Sequence, residues 1–98
     1  MAQSNLLVNT LDSAKVLRNK GDYQQAVKVL EAFDAQYPDN YWLLQLYAET
    51  LFWMKAYDKA DNVYRRAIRI YPNNYEIKYE YALFLYDRGR YKSARELL

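Results

Sequence analysis

Between Tyr41 and Met54 apolar side chains fall at Leu43, Leu44, Leu46, Tyr47, Ala48, Leu51, Phe52 and Met54, in steps of three and four. Alternation of period two is absent, so the stretch predicts a helix buried on more than one side. A second run, Tyr57, Ala60, Val63, Tyr64, Ala67, Ile68 and Ile70, predicts a helix that stops at Tyr71. The stop has a steric cause: a residue followed by proline is pushed out of the helical region. Asp39-Asn40 and Asn73-Asn74 then offer side-chain oxygens to the unpaired amides of the next helix. The predicted unit is helix, short turn, helix, capped break. Applied along the chain, it places helices near 4–20, 23–36, 40–54, 57–70, 74–88 and 91–98.

The unit recurs. A shift of 34 residues superposes Ala14, Ala48 and Ala82; Leu17, Leu51 and Leu85; Tyr23, Tyr57 and Tyr91; and Ala26, Ala60 and Ala94. Tyr37-Pro38 and Tyr71-Pro72 obey the same interval, and a period in this range points to a stacked array of helical hairpins. The alanines early in each second helix let two backbones approach closely. The turn inside the unit reads NKGDY, MKAYD and DRGRY in the three copies. Gly21 and Gly89 sit where a chain leaving a helix often needs a positive φ. Copy two has Lys55-Ala56 there instead, which predicts a mildly strained turn.

Composition narrows the chemistry. With 98 residues the chain is read as a single domain over 1–98, with repeats at about 7–40, 41–74 and a truncated 75–98. It has 14 basic and 12 acidic residues, a balance that disfavours nucleic acid or an anionic membrane as the main partner. There is no cysteine and no histidine, which removes thiolate nucleophiles, disulfides, most zinc sites and the commonest proton-transfer group at neutral pH. Catalysis is therefore not expected, nor a cofactor or metal. The first residues, MAQSNLLVNTLDSAK, are neither a secretory signal nor a membrane span, so a soluble, cytoplasmic protein is expected.

These slots resemble the tetratricopeptide repeat. Copy two matches its pattern at Leu44, Tyr47-Ala48, Leu51, Ala60, Tyr64, Ala67 and Pro72. Copy one matches more loosely at Thr10, Ser13-Ala14, Leu17, Ala26, Leu30 and Pro38. Copy three has Tyr81-Ala82, Leu85 and Ala94 but puts Lys78 where a large apolar residue is usual. The resemblance covers about residues 7–98 and implies an all-α, right-handed superhelix of about 2.7 repeats without a capping helix. It also implies a non-catalytic protein-interaction scaffold. The second-helix segments ADNVYRRAI and YKSARELL are similar to the half-a-tetratricopeptide repeat, a relative tied to RNA-processing assemblies.

The resemblance implies that the first helices of successive units line a concave groove. Counted from Leu7, Tyr41 and Tyr75, its rows are Val8, Trp42, Glu76; Leu11, Gln45, Tyr79; Lys15, Glu49, Leu83; Arg18, Phe52, Tyr86; and Asn19, Trp53, Asp87. Trp42, Phe52, Trp53, Tyr79 and Tyr86 then form an aromatic floor, since large rings outside the core tend to mark binding surfaces. The alternative is that Phe52 and Trp53 only seal contacts between neighbouring first helices. Lys15 and Arg18 give the groove a basic N-terminal end, while Glu49, Glu76, Glu80 and Asp87 make the rest acidic. Such a groove suits an extended or helical partner segment with apolar and basic side chains. The commoner reading of any one such charge is a solvated face.

Chaperone-binding members of the family grip a terminal carboxylate with lysine, asparagine and arginine. The matching positions here are Leu11, Lys15, Leu46, Glu76 and Glu80, so one cation survives, two acids oppose the anion, and chaperone tails are not expected as partners. Arg65, Arg66 and Arg69, near Tyr64 and Tyr71, form the one basic cluster suited to RNA. Copy three stops at Leu98, about two turns short of the other second helices. This reads as a fragment of a longer array, with self-association through the uncapped end as a by-product.

Overall fold

The computed structural model describes residues 2–98, and side chains from Asn5 onward. Over this span six helices and no strand are found: α1 (Ala2–Asn19), α2 (Tyr23–Gln36), α3 (Tyr41–Trp53), α4 (Tyr57–Ile70), α5 (Tyr75–Asp87) and α6 (Tyr91–Leu97). Each helix packs on its neighbours in sequence, and α1 also touches α3. The result is a slab of 42 × 28 × 17 Å built from hairpins α1–α2, α3–α4 and α5–α6. An all-α repeat array is the fold that the periodicity predicts.

The recurring small residues explain the close packing. Ala14, Ala26, Ala48, Ala60, Ala82 and Ala94 are all buried, so each hairpin closes over a pair of methyl groups. Leu43 and Leu44, adjacent on α3, are both fully buried because that helix is clasped by α2 on one side and α4 on the other. Two core clusters result. One gathers Ala14, Ala26, Leu30, Phe33, Leu43 and Leu46; the other runs from Leu44 and Leu51 through Tyr64 to Ile77, Phe84 and Ala94.

Local chemistry sets the helix ends. Asn40 and Asn74 are extended, and each accepts a hydrogen bond from a helix amide, Leu43 N–H and Ile77 N–H, both at 3.1 Å. Asp22 caps α2 in the same way at 3.4 Å, whereas Ala56 and Arg90 give α4 and α6 no side-chain cap. Asp39, expected to help cap α3, instead accepts from Arg66, and its carbonyl accepts from the Tyr71 hydroxyl.

The turn inside each hairpin is the same in all three copies. The amides of Asp22, Ala56 and Arg90 donate back to the carbonyls of Leu17, Leu51 and Leu85 at 2.9, 2.9 and 2.8 Å. This closure requires a left-handed residue just before it. Gly21 and Gly89 supply it with φ of 83° and 79°; in copy two Lys55 supplies it with φ of 64°. The strain expected in that turn therefore sits on Lys55, and Ala56 follows it.

Candidate protein-interaction face

The first helices α1, α3 and α5 present one face with two clefts. The first, of about 200 Å³, lies between α1 and α3 and is lined by Leu11, Lys15, Arg18, Trp42, Gln45, Leu46 and Glu49. The second, of about 350 Å³, lies mainly between α3 and α5, where Phe52, Trp53, Tyr79 and Leu83 wall a recess that also reaches Glu49, Glu80 and Tyr64. Glu49 borders both. Arg18 forms the partition: its guanidinium pairs with Glu49 and lies 4.3 Å from the centre of the Trp53 ring. A cation stacked on indole beside a carboxylate gains from the ring quadrupole and the charge together.

The predicted groove residues divide by what they touch. Trp42 stands exposed over the first cleft, and Trp53 and Tyr79 stand half-exposed at the second. Phe52 behaves differently from its neighbour Trp53. Its ring meets Phe84 edge-on at 5.2 Å and packs into the core, so Phe52 seals the helix contact and Trp53 does not. Tyr86 is exposed but lines neither cleft; it packs on Tyr91 of α6, ring centres 4.8 Å apart. Asp87 is likewise exposed and outside both.

The charges are less separated than their order along the chain suggests. Lys15 is exposed, but Arg18 is largely buried and held by Glu49, so the two ends neutralise each other where they meet. The Tyr41 hydroxyl shares its one proton between Glu76 Oε2 at 3.0 Å and Asn74 Oδ1 at 3.2 Å. Burial first, and then the Glu76 contact, push Tyr41 up to about 12. Glu80 is half-buried. Gln45 Nε2 donates to its Oε1 at 2.7 Å, while its buried Oε2 has no hydrogen-bond partner among the described residues. Burial raises the Glu80 carboxyl above its ordinary value, the Gln45 bond opposes this, and Glu49 and Glu76 reinforce it.

Sequence reasoning missed two parts of this face. The Gln45–Glu80 bond joins α3 to α5 across 35 residues, and nothing local signals such a pairing. Tyr64 reaches the second cleft from α4, a second helix; the one hint is that copy one has Leu30 in its slot.

On the opposite side, the arginines read as an RNA-suited cluster are largely engaged. Arg66 makes two short bonds to Asp34, at 2.7 and 2.6 Å, and two more to Asp39. These bonds raise its pKa against the opposing effect of burial. Arg65 pairs with Asp61 at 2.9 Å and donates to the Tyr81 hydroxyl at 3.1 Å. Neither offers a bare cation to a phosphate.

A family model described as tetratricopeptide repeat matches residues 17–66 and 55–98, most of the chain. The chain belongs to the tetratricopeptide repeat family. It is thus a helical-repeat scaffold for protein interaction, a family generally without catalysis. No curated protein matches it in sequence. A solved structure titled "MamA RS-1 ArsTM double mutant" superposes with a TM-score of 0.83 at 16% identity, over 94% of this chain and 52% of the other. At that identity the likeness concerns the fold alone, and the chain spans about half the length of that protein. No helix among the described residues is long and apolar enough to cross a membrane.

Proposed function

We propose that this tetratricopeptide module binds a protein partner on the face formed by α1, α3 and α5, without catalysis. The partner contributes an extended or helical segment whose apolar side chains seat in the cleft between α3 and α5. Trp42, Trp53 and Tyr79 supply contact area, and Phe52 the cleft wall. Lys15 lies at one end of the face and Glu76, Glu80, Tyr86 and Asp87 at the other, while Arg18 and Glu49 hold the middle together.

One observation carries this reading. Trp53 remains 48% exposed and Tyr79 56% exposed at the rim of an apolar-walled cleft, while Phe52, the residue before Trp53, already completes the core contact. Rings left half-exposed and grouped at a recess are the usual anchors of an interface. The test is affinity capture from source lysate with the intact chain beside a Trp53→Ala, Tyr79→Ala variant whose helicity is unchanged by circular dichroism. Proteins lost only from the variant support the reading; identical recovery contradicts it.

A further inference from the structure

Charge that is nearly balanced along the chain is unevenly placed in space. Because each hairpin reverses the chain, the three turns inside the hairpins, at residues 19–25, 53–59 and 87–93, lie along one edge of the slab. That edge carries Lys20, Lys55, Lys59, Arg88, Arg90 and Lys92 against Asp22, Asp58 and Asp87. The opposite edge, made by the breaks between hairpins at 36–42 and 70–76, carries Asp39 and Glu76 and no cation. All six cations of the turn edge are exposed, and none has an ion-pair partner among the described residues. Two grooves separate the turns. One, of about 530 Å³, runs from Asp22 and Gln24 to Trp53 and Lys55; the other, of about 480 Å³, runs from Lys55 and Lys59 to Arg88, whose guanidinium lies 3.7 Å from the centre of the Tyr57 ring. Lys55 borders both. It is also held at φ of 64°, in the slot where the other two copies have glycine. A lysine in that conformation costs stability that glycine avoids, and strain of this kind concentrates at functional positions.

We infer that the turn edge docks an acidic protein segment, its carboxylates meeting Lys55, Lys59 and Arg88 and its backbone lying in the grooves between the turns. This surface is separate from the face of α1, α3 and α5, with Trp53 bordering both. Exposed cations without partners, grouped on one edge, attract and orient an anionic ligand. The sign selects acid; the aspartates and the grooves select protein. A phosphate ribbon or an anionic bilayer presents charge continuously, so it meets repulsion at Asp22, Asp58 and Asp87, one in each turn. A protein segment carries carboxylates only opposite the cations, and it enters grooves that a flat bilayer does not.

The test titrates the isotope-labelled chain, followed by amide chemical shifts, with a peptide of repeated Glu-Leu-Ser triplets and with its Gln-Leu-Ser counterpart. The Glu peptide is expected to bind about tenfold more tightly, as a few exposed charge contacts allow. It should shift amides of residues 19–25, 53–59 and 87–93, and weaken as salt is raised. Lys55→Gly should weaken its binding about threefold while making the fold more stable, and Lys55→Gly combined with Arg88→Gln about tenfold, the scale of one and two such contacts. Tyr79→Ala, on the other face, should leave it unchanged. Equal binding of the two peptides, or Glu-peptide binding indifferent to the double variant, overturns the inference. Tighter binding of oligothymidylate or of phosphatidylserine vesicles through the same residues overturns the choice of a protein partner.

Discussion

The two junctions between successive hairpins occupy equivalent slots and are built from different materials. Where the second junction sets Phe52 against Phe84, the first has Arg18 and Thr50 in the matching positions; where the second has Tyr64, the first has Leu30. The second is accordingly a ring cluster. Tyr64 stacks on Tyr81 at 5.4 Å, and Phe84 meets Tyr64, Tyr81 and Phe52 within 6.0 Å. The first is tied by charge: Arg18 to Glu49 on one face, Arg66 to Asp34 and Asp39 on the other, with Thr50 buried and donating to the Leu46 carbonyl at 2.7 Å. Rings and ion pairs thus perform one structural task. The difference also frees Trp53: with Phe52 closing the second junction, the neighbouring indole is left half-exposed with Arg18 over it.

The contrast breaks most sharply at Phe84. Replacing it by alanine empties the centre of the ring cluster and should cost about 3–5 kcal/mol in chemical denaturation, a large part of a small domain's stability. Thr50→Ala, in the matching slot, should cost about 1 kcal/mol, because its hydroxyl only doubles an acceptor already used by the helix. Equal losses at the two sites would mean that the junctions do not differ as described.

Next in size is Arg66→Lys. The substitution retains the charge but not the paired bonds to Asp34, a carboxylate only 14% exposed, and should lower stability by about 1–2 kcal/mol. The salt dependence of unfolding should shrink with it. The same substitution at Arg69, for which no ion pair is found among the described residues, should be nearly silent in the same assay.

Much of the fold was legible because its signals are local. Pro38 and Pro72 end helices, Asn40 and Asn74 start them, and the interval between them repeats, so the expected 40–54 for the third helix differs from the observed Tyr41–Trp53 by one residue at each end. The face was less legible. Phe52 and Trp53 are consecutive letters with opposite fates, decided by how far α5 is rotated against α3, a quantity that no single helix encodes. Arg18–Glu49 and Arg66–Asp34 are separated by 31 and 32 residues and depend on the same offset. Tyr86 was expected among the groove rings; it is exposed outside both clefts, with its ring edge-on to Tyr91 of α6.

A smaller effect sharpens the view of the turns. Lys55 holds a left-handed conformation that glycine holds in the other two copies, so Lys55→Gly should stabilise the chain by about 0.5–1 kcal/mol. Gly21→Ala and Gly89→Ala should destabilise it by about 1 kcal/mol each. An added Cβ meets nothing within 4 Å at either glycine, so the penalty is conformational and not a clash.

The smallest expected effect is at Glu80. Its folded-state pKa is raised, so folding favours the protonated form. The stabilisation linked to that proton is present at pH below the ordinary carboxylate range and is lost as pH rises through the elevated value. At neutral pH the charged form weighs against the fold, and Glu80→Gln should be slightly more stable there than the unaltered chain. Its stability should also change less as the pH is lowered through the carboxylate range.

The most direct measurement places a photo-crosslinking benzoylphenylalanine at Tyr79, on the α3–α5 cleft, or at Lys28, exposed on α2, and irradiates each protein in source lysate. The account predicts discrete protein adducts from position 79 that disappear when Trp53 is also replaced by alanine, and none of comparable yield from position 28. Adducts formed equally from both positions, or from position 28 alone, would contradict it.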